Sequence, residues 1–182
     1  MKQIDLTNVQ EATDFKGLPA GPYICRITSA VDVPEKEYLK IGVDIAEGEF
    51  RGYYSKRAAE HPEWDWGSVG VYCRSYKEKA LGMFKRFCSS VSKSNGNFVF
   101  DGGTVNSDEK SLVGKMIGIV FQEEEYYGND GEKKTRLIIN KEFPVSDLSA
   151  QKVPKKKELP PDESTVANAG TSDDIDEIPF NS

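Results

Sequence analysis

The stretch EYLKIGVDI, residues 37–45, decides how this chain is read. Leu39, Ile41, Val43 and Ile45 fall on one side of an extended backbone, and Tyr38, Lys40, Gly42 and Asp44 fall on the other. That two-residue period marks a β-strand with one face toward a core. Upstream, YICRITSAV (23–31) alternates less regularly but is also strand-like, and VDVPEKE supplies a hairpin loop between the two. GLPAGPY (17–23) is a turn-rich lead-in behind a polar N-terminal arm, residues 1–18. Downstream, AEGEFRGYYSKR (46–57) reads as a glycine-containing turn and a short aromatic strand. HPEWDWGSVGVYC (61–73), dense in aromatic residues and turn formers, reads as a long loop.

One helix is predicted, over SYKEKALGMFKRFCSSV (75–91). Ala80, Phe84, Phe87, Cys88 and Val91 recur as a single helical stripe, with Lys77, Lys79, Lys85 and Arg86 on the wetter sides. Gly82 weakens this helix by about 1 kcal/mol relative to alanine. Two further strands, LVGKMIGIVFQEEEYY (112–127) and EKKTRLIINKEF (132–143), flank a GNDGE turn and predict an antiparallel hairpin. The order is thus three strands, a helix and two strands. Closure into a barrel would remove the edges that five short strands otherwise expose. The prediction is a mainly β domain over residues 19–148: a five-stranded oligonucleotide-binding barrel with its helix between strands three and four. An α+β sandwich of the same elements is the other arrangement this order allows.

Composition bounds the function. The 182 residues carry a formal net charge of −6, with 30% charged residues, which favours solubility and gives no bulk signal for nucleic acid. No run of 18 apolar residues and no apolar stretch behind MKQIDLTNVQ is present, so neither a membrane span nor a signal peptide is expected. Cys25, Cys73 and Cys88 are widely spaced and fit small core residues in a reducing cytoplasm. His61 is the only histidine, so no zinc pattern arises, and no metal or cofactor is expected. Phosphate-cradling and dinucleotide fingerprints are absent. The carboxylates Asp44, Glu47, Glu49, Glu63 and Asp65 are as consistent with solubility as with metal binding, and an enzyme is not expected.

The stronger signal is aromatic residues interleaved with bases. FRGYYSKR brings together Phe50, Arg51, Tyr53, Tyr54, Lys56 and Arg57. WDWGSVGVYCRSYKEK adds Trp64, Trp66, Tyr72, Arg74, Tyr76 and Lys77, and an outward Tyr38/Lys40 pair extends the surface. Single strands are held in this way, with bases stacked on rings at about 1–3 kcal/mol each and phosphates drawn to Lys and Arg. Packing uses the same flat apolar area, and Phe50, one of Tyr53/Tyr54, and the Trp64/Trp66 pair fit a core role equally well. EEEYY (123–127) opposes a uniformly basic face. Rings accept any base and nothing reads a 2′-hydroxyl, so RNA stays open beside DNA. A homo-oligomer through the arm, the loop or an exposed strand is equally open.

After Phe143-Pro144 the periodicity ends. A flexible linker, residues 149–170, is predicted: it contains KKK (155–157) and then ELPPDESTVANAG, too poor in large apolar residues to offset its ordering entropy, so disorder is expected here and in the acidic tail that follows. Residues 171–182 close with Asp173, Asp174, Asp176 and Glu177 followed by Ile178, Pro179 and Phe180. Such a segment can seat its Ile and Phe in an apolar pocket while the acids approach surrounding bases.

DDIDEIPF resembles the acidic tip of bacterial single-stranded-DNA-binding proteins. YLKIGVDIAEGEFRGYY is similar to a phage-encoded family of such proteins, with the resemblance best over residues 19–54. The resemblance implies a barrel that coats single-stranded DNA during phage replication, recombination or repair in the cytoplasm of an infected bacterial cell. It also implies a tail that recruits replication, recombination or repair proteins, with Ile178, Pro179 and Phe180 as anchor and Asp173, Asp174, Asp176 and Glu177 steering it. In the bacterial pattern Phe is the last residue, whereas here Asn181 and Ser182 follow. The alternatives are a protein-binding scaffold without enzyme activity or, further off, a metal-dependent nucleic-acid enzyme.

Overall fold

Alternation at residues 38–45 is realised as strand β2, Tyr38–Ile45, which pairs antiparallel with β1, Gly21–Val33. The structure is a computed structural model and describes residues 17–63 and 70–159. A 3-10 turn at Pro34–Lys36 joins the two strands, closed by Glu37 in the left-handed region at φ 57°. β3, Val71–Ser75, adds to the far side of β2. β4, Met116–Tyr127, pairs with β1, and β5, Lys133–Phe143, pairs with β4 across the Gly128–Glu132 turn. The hairpin is antiparallel, as its short turn predicts. The strand order is β3-β2-β1-β4-β5.

The inward row of β2, Leu39, Ile41, Val43 and Ile45, is buried as its alternation indicates. It joins Cys25 and Ile27 of β1, and Ile117, Ile119 and Phe121 of β4, in one cluster. Helix α2, Leu81–Ser94, covers this cluster with Phe84, Phe87, Cys88 and Val91. The predicted stripe is therefore real, although the helix runs Leu81–Ser94, and a 3-10 turn at Glu78–Ala80 occupies part of the expected first turns.

Three expectations are corrected. The sheet is not a closed barrel, so the domain is not an oligonucleotide-binding barrel: β3 and β5 are edges with no ladder between them. A ladder holds strands about 4.8 Å apart. β3 is only five residues long, and the edges meet instead through side chains, with Arg74 of β3 bonded to Glu142 of β5. Residues 53–60 form helix α1, Tyr53–Glu60, where a short aromatic strand was predicted. The third strand lies in the last part of the expected loop, at residues 71–75.

Beyond β5, a 3-10 turn at Val145–Ala150 buries Leu148. Residues 151–159, the first part of the predicted linker, then run beside β4, where Lys157 makes a parallel bridge to Glu124. Among the described residues no helix is long and apolar enough to cross a membrane.

Candidate nucleic-acid interface

The side of β2 away from the core carries Tyr38, Lys40, Gly42 and Asp44 in a row. Asp44 is buried at the end of this row and organises what lies next to it. Its Oδ1 accepts from the backbone N–H groups of Ile45 at 2.8 Å and Tyr54 at 2.9 Å. Its Oδ2 accepts from the Ser55 N–H at 3.3 Å and from the Ser55 hydroxyl. A carboxylate at the start of a helix satisfies N–H groups that have no partner within it, which fastens the first turn of α1 onto β2. The same corner forms a shallow pocket with Arg26 and Thr28 of β1 and with Arg51, Gly52 and Ser55. Arg26 sits opposite Asp44 in the β1–β2 register.

Farther along the row, Lys40 is half-buried and lies opposite Val31 on one side and Cys73 on the other. Burial shifts its pKa down from the usual lysine value. Tyr38, also half-buried, faces Val33 and Ser75. Between Lys40 and Asp44 the β1 register shifts at Ile27/Ser29, bringing the Ser29 and Thr28 hydroxyls so close that a β-carbon at Gly42 would strike both. The outer row therefore reads, from end to end, ring, base, hydroxyl-lined flat, and then an arginine-flanked corner.

Other predicted site residues divide into three groups. Arg51 and Lys56 are exposed near that corner, and Arg57 lies over the Tyr53 ring at 5.4 Å. Phe50, Tyr53 and Tyr54 belong to the packing: Phe50 meets Tyr23 and Tyr53 edge-on, each at 6.2 Å, and the Tyr53 hydroxyl accepts from the Leu18 N–H at 3.2 Å. Tyr54 is buried against Phe121, and this burial pushes its phenol well above the usual range. Tyr72 and Arg74 point into the interior from β3, opposite the buried Ile41 and Leu39. The Arg74 guanidinium lies over the Tyr72 ring at 4.8 Å and is committed to Glu142. Burial, followed by the Glu142 carboxylate, raises the Tyr72 phenol well above its ordinary value. Lys77 is exposed beyond β3. Trp64 and Trp66 lie outside the described residues, as do Asp173, Asp174, Asp176, Glu177, Ile178, Pro179 and Phe180.

Sequence reasoning missed Arg26, although its place between the inward Cys25 and Ile27 marks it as outward. It also missed a ring-and-base pair on the β4–β5 hairpin, where Arg136 covers the Tyr126 ring at 5.0 Å. The acidic run on that hairpin is compensated. Glu124 pairs with Arg136 at 2.8 Å and Lys157 at 2.6 Å, and Glu125 pairs with Lys133 at 2.6 Å and Lys156 at 2.8 Å. Among the described residues no three metal-ligating side chains converge.

No known protein-family model matches the chain, and no curated protein matches its sequence. The class defined by the fold is an open, five-stranded antiparallel sheet backed by helix α2, with aromatic and basic residues along its outer face.

Proposed function

We propose that this protein binds single-stranded DNA without sequence preference along the outer row of β2. In this reading it protects such DNA during phage replication or recombination in the cytoplasm of an infected bacterial cell. The supporting observation is the arrangement of Tyr38 and Lys40 on one open sheet face that ends between Arg26 and Arg51. The acid of that row, Asp44, is occupied by backbone and hydroxyl donors, so its charge is spent on fastening α1. Bases would stack on Tyr38 while phosphates take Lys40, Arg26, Arg51 and Lys56, a sequence-tolerant mode whose strength falls with salt.

The role is binding rather than catalysis, and the acidic Ile-Pro-Phe segment (173–180) is assigned to partner recruitment on its sequence pattern. Fluorescence titration with labelled single and double strands tests the reading. Tighter binding to single strands, weakening as salt rises, supports it; equal or absent binding ends it. Deleting residues 171–182 should leave DNA affinity unchanged or slightly higher while abolishing partner capture.

A further inference from the structure

β4 runs on past the end of its ladder with β1. The β1–β4 ladder stops at Gly21↔Phe121, whereas β5 follows β4 to Tyr127. The edge of β4 past Phe121 would carry unpaired backbone groups, and residues 151–159 cover it. The Lys157 N–H donates to the Glu123 carbonyl at 2.8 Å, and the Glu125 N–H donates to the Lys157 carbonyl at 2.9 Å. The Gln122 side-chain amide donates to the Lys155 carbonyl at 2.7 Å. Lys156 and Lys157 then meet Glu125 and Glu124.

We propose that residues 151–159 are an autoinhibitory strap: Glu124 and Glu125 hold Lys156 and Lys157 as a phosphate backbone would. A polyanion that competes for Lys155–Lys157 lifts the strap and uncovers the β4 edge. This rests on the single-strand reading only in naming single-stranded DNA as that polyanion.

Three features make the strap detachable. The Lys156 and Lys157 side chains remain substantially exposed, at 36% and 57%, against Glu125 and Glu124 at 10% and 12%, so both pairs are open to solvent and salt from the lysine side. Each carboxylate also keeps a cation from β5, Arg136 for Glu124 and Lys133 for Glu125, so the strap can leave without stranding a charge. The backbone bridge to β4 is a single isolated one. Besides that bridge and the two ion pairs, the segment is held to β4, among the described residues, only by the Gln122–Lys155 bond and by the Leu159 N–H donated to Glu125 at 3.3 Å, so it is poised between docked and free.

Hydrogen–deuterium exchange on the full chain tests this through the Lys157 and Glu125 amides, with the β1–β2 ladder as an internal control for folding. Raising salt to about 1 M, where screening reaches about 3 Å, should lower protection of both amides about tenfold, the shift expected for two exposed pairs. Inorganic polyphosphate at low salt should do the same, and so should Lys156→Gln with Lys157→Gln, which removes no packed group. Protection that persists through all three treatments overturns the strap. An oligo-dT arm separates the two readings. Oligonucleotide that binds and leaves the strap protected overturns single-stranded DNA as the polyanion that lifts it and leaves the single-strand reading standing. Opening by polyphosphate without oligonucleotide binding supports the strap and removes the single-strand reading.

Discussion

Arg74 on β3 donates through Nε to Oε1 of Glu142 on β5, joining two edge strands that share no backbone ladder. The Glu142 side chain is fully buried, and 17% of the Arg74 side chain is exposed. Burial disfavours both charges, and their mutual attraction offsets it, so the guanidinium is held above its usual pKa despite the desolvation. Removing one partner strands the other. Arg74→Met or Glu142→Gln alone should lower unfolding free energy by about 3–5 kcal/mol, whereas Arg74→Met combined with Glu142→Leu should be close to neutral. Urea unfolding of the three variants checks this; single variants within 1 kcal/mol of the parent would mean that the pair does not hold the seam.

Asp44 gives a second stability test. Four donors converge on one carboxylate, three from the first turn of α1 and one from its own strand. Asp44→Ala leaves buried N–H groups unsatisfied and should cost about 1–3 kcal/mol, with early loss of amide protection across α1. Ser55→Ala removes one donor from an acceptor that retains three and should cost less than half as much.

These two sites show which parts of the fold were legible. Local periodicity identified β2, the α2 stripe and the β4–β5 hairpin, because each is specified within a few residues. Helix α1 was not legible because the group that fastens it, Asp44, belongs to a different strand. β3 was missed because Val71–Ser75 turns Tyr72 and Arg74 inward, and an arginine reads as a surface residue until Glu142, far along the chain, is placed beside it. The strap was hidden for the same reason. KKK and EEE are each solvated runs in isolation, and only the fold sets them side by side. Of the candidate site, Tyr38 and Lys40 followed from alternation, while Arg26 needed the β1–β2 register.

Acid should loosen the strap before the sheet. Hydrogen bonds from Lys133 and Lys156 hold the Glu125 carboxyl at about 2, below its ordinary 4.5. For Glu124, burial raises the pKa, but Lys157 and Arg136 outweigh it and the net direction is down. A carboxyl depressed on folding contributes stability that is complete above its unfolded value and is lost as pH falls through the folded one. Strap protection should therefore decline from about 4.5 toward 2, and Glu125→Gln should flatten that decline. A profile unchanged by Glu125→Gln would assign the transition to other groups.

Thiol chemistry should sort the cysteines by face. Cys25 and Cys88 are buried, and burial raises both thiols, that of Cys88 to about 12. Cys73, half-buried, is on the outer side of β3 opposite Lys40. A thiol reagent at neutral pH should label Cys73 in the native protein and reach Cys25 and Cys88 only on unfolding. Mass spectrometry of labelled peptides reads this directly, and rapid native labelling of Cys88 would contradict the packing of α2.

The outer row makes the most specific demand on single-strand binding. If Tyr38 stacks on a base, Tyr38→Ala should weaken oligo-dT binding by about 1–3 kcal/mol, while Tyr38→Phe, which keeps the ring, should hardly change it. Lys40→Gln and Arg26→Gln should each reduce the magnitude of the slope of log affinity against log salt by about 0.7, the value for one phosphate on a single strand. Tyr54→Ala and Arg74→Met act inside the fold, so they should lower stability and leave the salt slope of the folded fraction unchanged. Anisotropy titrations at several salt concentrations, run beside urea unfolding, separate the two kinds of residue. A Tyr38→Phe variant as weak as Tyr38→Ala would rule out stacking, and a salt slope insensitive to both Lys40 and Arg26 would place the phosphates elsewhere than on this face.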